Sequence, residues 1–168
     1  MTWKKSLNRP TVFLDFDGVL HPDEVYLVRG HPVLRIDGIS LFEWSEILVE
    51  SLEPYPKVQI VLSTSWVRLL GFEEASERLP EPLRKRVAGA TWHATVPRRW
   101  TQMTRFEQIL LNVERHRPAR WLAIDDDGIG WSDEHRENLV LTDSLLGLGC
   151  ASAQAELREK LQMLHGIT

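Results

Sequence analysis

A single cysteine, Cys150, stands among 168 residues, so an intrachain disulfide is impossible and a reducing, cytoplasmic setting is expected. Nowhere are there about 18 consecutive apolar residues, the length that spans a bilayer. No apolar run follows the charged N-terminal stretch MTWKKSLNRP, as a signal peptide would require. A membrane partner is therefore not expected. Excess positive charge is missing too: 20 Lys and Arg stand against 24 Asp and Glu, a formal net charge of -4. That disfavours nucleic acid as a partner over a broad surface, leaving only local clusters such as Arg84-Lys85-Arg86 and Arg98-Arg99 to meet a polyanion. The 6 histidines are scattered and the cysteine is alone, so nothing resembles a zinc site. Internal repeats, low-complexity tracts and linkers are also lacking. The remaining composition, 43% hydrophobic and 26% charged, fits one globular domain over residues 1–168.

What is present alternates between two periods. After a polar leader over residues 1–10, Val12–Asp15 reads as a buried strand, followed by Val25–Val28 and Val33–Ile36 as a hairpin flap around Arg29-Gly30-His31-Pro32. Ser40 with Glu43 predicts a capping box, and Leu41, Trp44, Ile47, Leu48 and Leu52 then recur at helical spacing until Pro54 and Pro56. Val58–Leu62 is an apolar run of the kind buried on both sheet faces. It ends in Ser63-Thr64-Ser65-Trp66, after which Gly71, Pro80 and Pro82 break the helical pattern into short pieces. A further strand is expected within Val87–Thr95. Thr104 and Glu107 predict the start of a helix whose apolar stripe is Phe106, Ile109, Leu110 and Val113. Trp121–Ile124 and Asn138–Leu141 read as the last strands, and Ser152 opens a final helix closed by Gly166. The alternation predicts an α/β domain with a mostly parallel five-stranded sheet.

Three of these strands end in polar clusters: Asp15 and Asp17 before Gly18, Ser63-Thr64-Ser65, and Asp125-Asp126-Asp127 before Gly128. In open parallel sheets ligands bind beyond the carboxyl ends of the strands, so neighbouring strands would bring these groups together. Several carboxylates in one cleft repel each other, and a divalent cation removes that cost. All-oxygen ligands favour Mg²⁺, which binds through one or two carboxylates together with a phosphate.

The apolar strand ending in DxDG, the strand ending in Ser63, a basic residue at Arg105 and the strand ending in Asp125-Asp126 occur in the order found in the haloacid dehalogenase (HAD) superfamily, which the chain resembles. The resemblance implies a single Rossmann-like domain. The segments between these motifs are already taken up by flap, helices and strands, so no large cap domain is expected. It further implies that Asp15 is the nucleophile, forming an aspartyl-phosphate. Asp17 would be the general acid and then base, with its backbone carbonyl on the metal. Ser63 and Thr64 would hold the phosphoryl group, Arg105 would neutralise it, and Asp125 and Asp126 would complete the Mg²⁺ site with Asp15 and Asp17. Asp127 would assist. The second carboxylate, Asp17, points to phosphomonoester hydrolysis rather than dehalogenation. Capless relatives act on macromolecular ends or phosphoproteins, so the implied partner is a phosphorylated substrate, including a macromolecular one. DGVL, Ser-Thr-Ser-Trp and Asp-Asp-Asp are similar to a small bacterial branch associated with RNA repair. The alternatives are a catalytically idle regulatory or binding module, and a nucleic-acid-end phosphatase.

Plainer roles exist for each residue. Asp-Gly is a common turn signal, Ser63 would serve as a helix cap, and Lys85, Arg98 and Arg99 compete with Arg105. Asp143 reads as a turn residue. His21 either touches substrate or has no special role, and Trp66 and Trp131 read as packing.

Overall fold

Leu14 is followed within four residues by a glycine, and the strand before it is apolar throughout; that pattern places the strand in the middle of the molecule. In the computed structural model, which describes residues 8–166, β1 (Thr11–Leu14) is buried along its whole length. It pairs in parallel with β4 (Gln59–Leu62) on one side and β6 (Trp121–Asp125) on the other. β5 (Val87–Ala90) and β7 (Leu139–Leu141) extend the sheet to the order β5-β4-β1-β6-β7, all parallel. The expected leader over residues 1–10 lies mostly outside the described residues.

Among the described residues six α-helices flank the sheet: α1 (Ser45–Leu52), α2 (Ser65–Leu70), α3 (Phe72–Glu77), α4 (Glu81–Arg84), α5 (Arg105–His116) and α6 (Ala151–His165). The main apolar core lies between one sheet face and α1, α2, α4 and α6, through Val12, Leu14, Leu48, Leu52, Leu83, Leu157 and Leu161. On the other face Phe13, Val61 and Ala123 meet Ile109 of α5, with Trp121 and Trp131 at the rim. Both faces of β1, β4 and β6 are thus covered, which is why those segments read as mainly apolar runs, with Gln59 an interruption in β4. Among the described residues no helix is long and apolar enough to cross a membrane.

The flap is a two-stranded antiparallel hairpin, β2 (Val25–Val28) and β3 (His31–Leu34). Its turn is shorter than expected. Arg29 and Gly30 alone make it, both at positive φ (52° and 81°), the conformation a two-residue hairpin turn requires. Pro32 therefore lies inside a strand, opposite Leu27. The first helix also departs from its sequence pattern. The Ser40 N–H does donate to Glu43 Oε2 (3.0 Å), but regular helix starts only at Ser45 because Phe42 sits at φ 61°. Its N–H is directed instead to His21 Nδ1 (3.2 Å). β5 stops at Ala90 rather than continuing towards Thr95, and the last helix starts at Ala151 with Cys150 as its cap.

Candidate active site

The sheet order puts the three polar strand ends side by side. β1 is central, so Asp15 and Asp17 leave the sheet with Ser63 and Thr64 on one flank and Asp125 and Asp126 on the other. The turn after β1 depends on Gly18, at φ 70°, where a Cβ would lie 2.3 Å from Asp126 Oδ2. Thr142, at the end of β7, donates its hydroxyl to the Gly18 carbonyl (2.7 Å) and secures the same turn from below. No feature of the sequence singled out Thr142.

Asp15 is only 4% exposed. Its Oδ1 accepts the Phe16 N–H (2.8 Å), and its Oδ2 accepts from Arg105 Nη2 (3.3 Å). Arg105 Nε lies 3.2 Å from Asp125 Oδ2, an ion-pair distance without hydrogen-bond alignment. One guanidinium thus bridges the carboxylates of two neighbouring strand ends. Arg105 is delivered by α5, whose start is a complete capping box: Thr104 Oγ1 accepts the Glu107 N–H (3.2 Å) and Glu107 Oε2 accepts the Thr104 N–H (2.8 Å). Its sequence rivals lie elsewhere. Lys85 pairs with Glu81 on the surface, and Arg98 and Arg99 are exposed in a loop.

Oxygens of Asp15, Asp125 and Asp126 all lie within 4.8 Å of one another, an arrangement able to hold a cation. Their protonation reflects the crowding. Burial, followed by the charge of Asp15, pushes Asp125 well above the usual carboxylate range, with Arg105 opposing. Burial raises Asp15 too; Arg105 opposes this, Asp17 adds to it, and the Phe16 N–H and Thr64 hydroxyl oppose it further. Burial, Asp15 and Asp23 lift Asp126 to about 7. For Arg105, burial works against its charge, but Asp15, Asp125 and their neighbours outweigh it and raise its value. A site with more buried negative charge than one arginine neutralises fits a hard divalent cation. Asp125 Oδ2, buried and without a hydrogen bond, is a ready ligand atom.

Asp17 behaves differently. Its carboxylate is not part of this acidic group. Oδ1 faces His21 Nε2 (3.0 Å), and Trp66 Nε1 donates to Oδ2 (2.9 Å) and Oδ1 (3.1 Å). Both rings are buried, at 0% and 3% exposure. His21 is therefore an interior residue, and Trp66 does more than pack. By sequence Trp66 reads as packing; the need of a buried indole N–H for a partner is the signal that could have suggested the role.

On the other flank the Ser63 hydroxyl is buried with no hydrogen-bond partner, and Thr64 caps α2 by accepting the Trp66 N–H (3.4 Å). Thr64, Arg105 and Asp127 border a cavity of about 220 Å³ that also includes Arg68, Trp92 and Trp100. Asp127 itself forms a turn, its Oδ1 accepting the Ile129 N–H (2.8 Å). A smaller cavity of about 100 Å³ opens between the flap and α2, lined by Asp17, Leu27, Pro32, Trp66 and Leu69. Asp143 is a turn residue, accepting the N–H groups of Leu145 and Leu146 (2.9 and 3.1 Å).

A five-stranded parallel sheet with acidic groups at two adjacent strand ends, hydroxyls at a third and an arginine at the start of α5, the helix before β6, is the arrangement of a HAD-type domain. The profile of the family described as "HAD domain in Swiss Army Knife RNA repair proteins" matches residues 11–153, and the chain belongs to that family. Comparison with curated proteins and with solved structures gave no match.

Proposed function

We propose that the protein is a Mg²⁺-dependent phosphomonoesterase acting through an aspartyl-phosphate on Asp15. The observation that carries this reading is the pairing of Arg105 with both Asp15 and Asp125, beside a third carboxylate, Asp126. Asp15, Asp125, Asp126 and the Asp17 carbonyl would hold the ion. When bound, Mg²⁺ offsets the charge of these carboxylates and of an incoming phosphate.

The chain's own groups then divide the work. Arg105 draws the phosphoryl group toward Asp15 and offsets the charge that builds on it. The Ser63 and Thr64 hydroxyls supply hydrogen bonds to the phosphoryl oxygens. Asp15 attacks phosphorus, and Asp17 gives a proton to the departing oxygen and later takes one from the hydrolytic water. With Mg²⁺ present, Asp15→Asn should abolish hydrolysis of p-nitrophenyl phosphate while leaving the circular dichroism spectrum and melting transition of a folded protein. Residual turnover above background in that variant would rule out Asp15 as nucleophile. Turnover by neither wild type nor variant across a broad panel of phosphate esters would favour an idle binding module.

A second reading, a nucleic-acid-end phosphatase, draws support from the family description and from the 220 Å³ cavity beside Arg105, where Arg68, Trp92 and Trp100 offer one cation and two indoles. Unstacked bases are held by aromatic faces and by arginine. Comparing 5′- and 3′-phosphorylated oligonucleotides with nucleotides and sugar phosphates tests it. A preference for sugar phosphates would exclude it.

A further inference from the structure

We infer that His21 and Trp66 are positioning residues that hold Asp17 apart from the acidic group and leave Oδ2 as its proton-carrying oxygen. The inference rests on the phosphatase reading and adds to it two residues outside the four superfamily motifs.

The hydrogen-bond directions are set by neighbours on three different segments. The Phe42 N–H points at His21 Nδ1 (3.2 Å), which makes Nδ1 an acceptor and puts the ring proton on Nε2. Nε2–H then donates to Asp17 Oδ1 (3.0 Å). Trp66 Nε1–H, which can only donate, shares its proton between Oδ2 (2.9 Å) and Oδ1 (3.1 Å). Oδ1 thus receives two donors. Oδ2 receives one and keeps a lone pair for a proton.

The two rings have little freedom to turn away. His21 stands 4.9 Å from Phe42 at 73°, Trp66 stands 5.4 Å from Phe42 at 79°, and Phe16 packs edge-on to Trp66 at 5.7 Å. Phe42 holds a positive φ, a conformation that is costly for a bulky side chain. A regular helix needs a negative φ, so α1 begins only after Phe42.

The separation has a chemical purpose. A carboxylate two residues from Asp15 would otherwise be attracted to the same cation, and a carboxylate bound to a cation cannot carry the proton needed by the leaving group. Two uncharged N–H donors hold the Asp17 side chain off without adding a charge that would compete for the phosphate. The proton steps then balance. As an Asp15 oxygen bonds to phosphorus, the phosphorus–oxygen bond to the leaving group breaks with its electron pair on the leaving oxygen. That oxygen takes the proton from Asp17 Oδ2 and departs as a neutral alcohol. Water then attacks phosphorus and gives its proton to Oδ2. The phosphorus–Asp15 bond breaks, and Asp15 returns as a carboxylate with inorganic phosphate released.

The test compares leaving groups. An alkyl phosphate needs its leaving oxygen protonated, whereas p-nitrophenyl phosphate has a stable leaving anion. Trp66→Phe and His21→Leu should each lower kcat/KM on the alkyl ester, which reports the steps through alcohol release, by roughly 10- to 100-fold, a fraction of the full effect of a general acid. On p-nitrophenyl phosphate the loss in kcat/KM should stay within about threefold, while kcat, which includes the shared hydrolysis of the aspartyl-phosphate, falls on both esters. His21→Gln, whose side-chain N–H reaches the place of Nε2, should recover most of the alkyl-ester activity. In the cation-free protein, ¹⁵N NMR of the His21 ring should show the proton on Nε2. Equal losses in kcat/KM on both esters, no such loss on the alkyl ester, no rescue by His21→Gln, or a proton on Nδ1 would each overturn the inference. Trp66→Phe keeps the aromatic packing, so the comparison survives if His21→Leu fails to fold. A wild-type protein that turns over neither ester overturns the phosphatase reading and the proton-transfer step with it. The NMR result separately decides the hydrogen-bond arrangement.

Discussion

Gly18 is the residue on which the two acidic strand ends depend for their close approach. It combines a positive φ with a Cβ position 2.3 Å from Asp126 Oδ2, so alanine would strain the turn and displace a carboxylate of the candidate cation site together. Gly18→Ala should weaken Mn²⁺ or Mg²⁺ binding by roughly 10- to 100-fold, the range seen when groups supporting metal ligands are lost. Calorimetric titration with the metal checks this; unchanged affinity would place Asp126 outside the cation site. At the same scale, only Asp15 of the first acidic pair joins Asp125 and Asp126, because Trp66 and His21 take the Asp17 carboxylate. DxDG shows both acids, yet nothing local distinguishes their surroundings. Trp66 reaches Asp17 from 49 positions along the chain.

At the level of elements, α5 carries most of the site's legibility. Its start could be read from Thr104 and Glu107, because a capping box joins residues three apart and needs no tertiary contact. The cap also fixes the direction in which Arg105, the first helical residue, leaves the backbone. Thr104→Ala should therefore cost about 1 kcal/mol of stability, read from the denaturant midpoint, and should raise KM for phosphate esters more than it lowers kcat. A loss of stability with unchanged kinetic constants would separate the cap from the placement of Arg105. α1 teaches the opposite lesson. Ser40 and Glu43 do interact as its sequence suggests, but the helix is delayed to Ser45 because Phe42, whose N–H donates to a histidine 21 residues earlier, takes φ 61°.

For the whole molecule, the gathering of acids makes the cation-free fold sensitive to pH. Asp126 is raised to about 7, above its ordinary value near 4, chiefly by burial and then by Asp15 and Asp23. Between those values the folded chain holds a proton that the unfolded chain has released, so stability falls as pH rises. The benefit is fully present below the ordinary value and gone once pH passes about 7. Asp126 is half-buried, so solvent screening moderates the effect. Asp15 and Asp125, also raised, act in the same direction. The cation-free protein should melt at a higher temperature at pH 5.5 than at pH 8, and added Mg²⁺ should raise the melting temperature more at pH 8. A melting temperature that climbs with pH in the absence of metal would contradict this electrostatic picture. Alternating strands and helices, the polar strand ends and the cap before Arg105 were determined by the sequence itself, because periodicity, turn residues and capping act over a few positions. Tertiary structure decided that β1 lies between β4 and β6, which acids come close enough to hold a cation and which donors reach each oxygen of Asp17. Those outcomes depend on burial and on hydrogen bonds between distant segments, whose energies exist only once the sheet has brought the segments together.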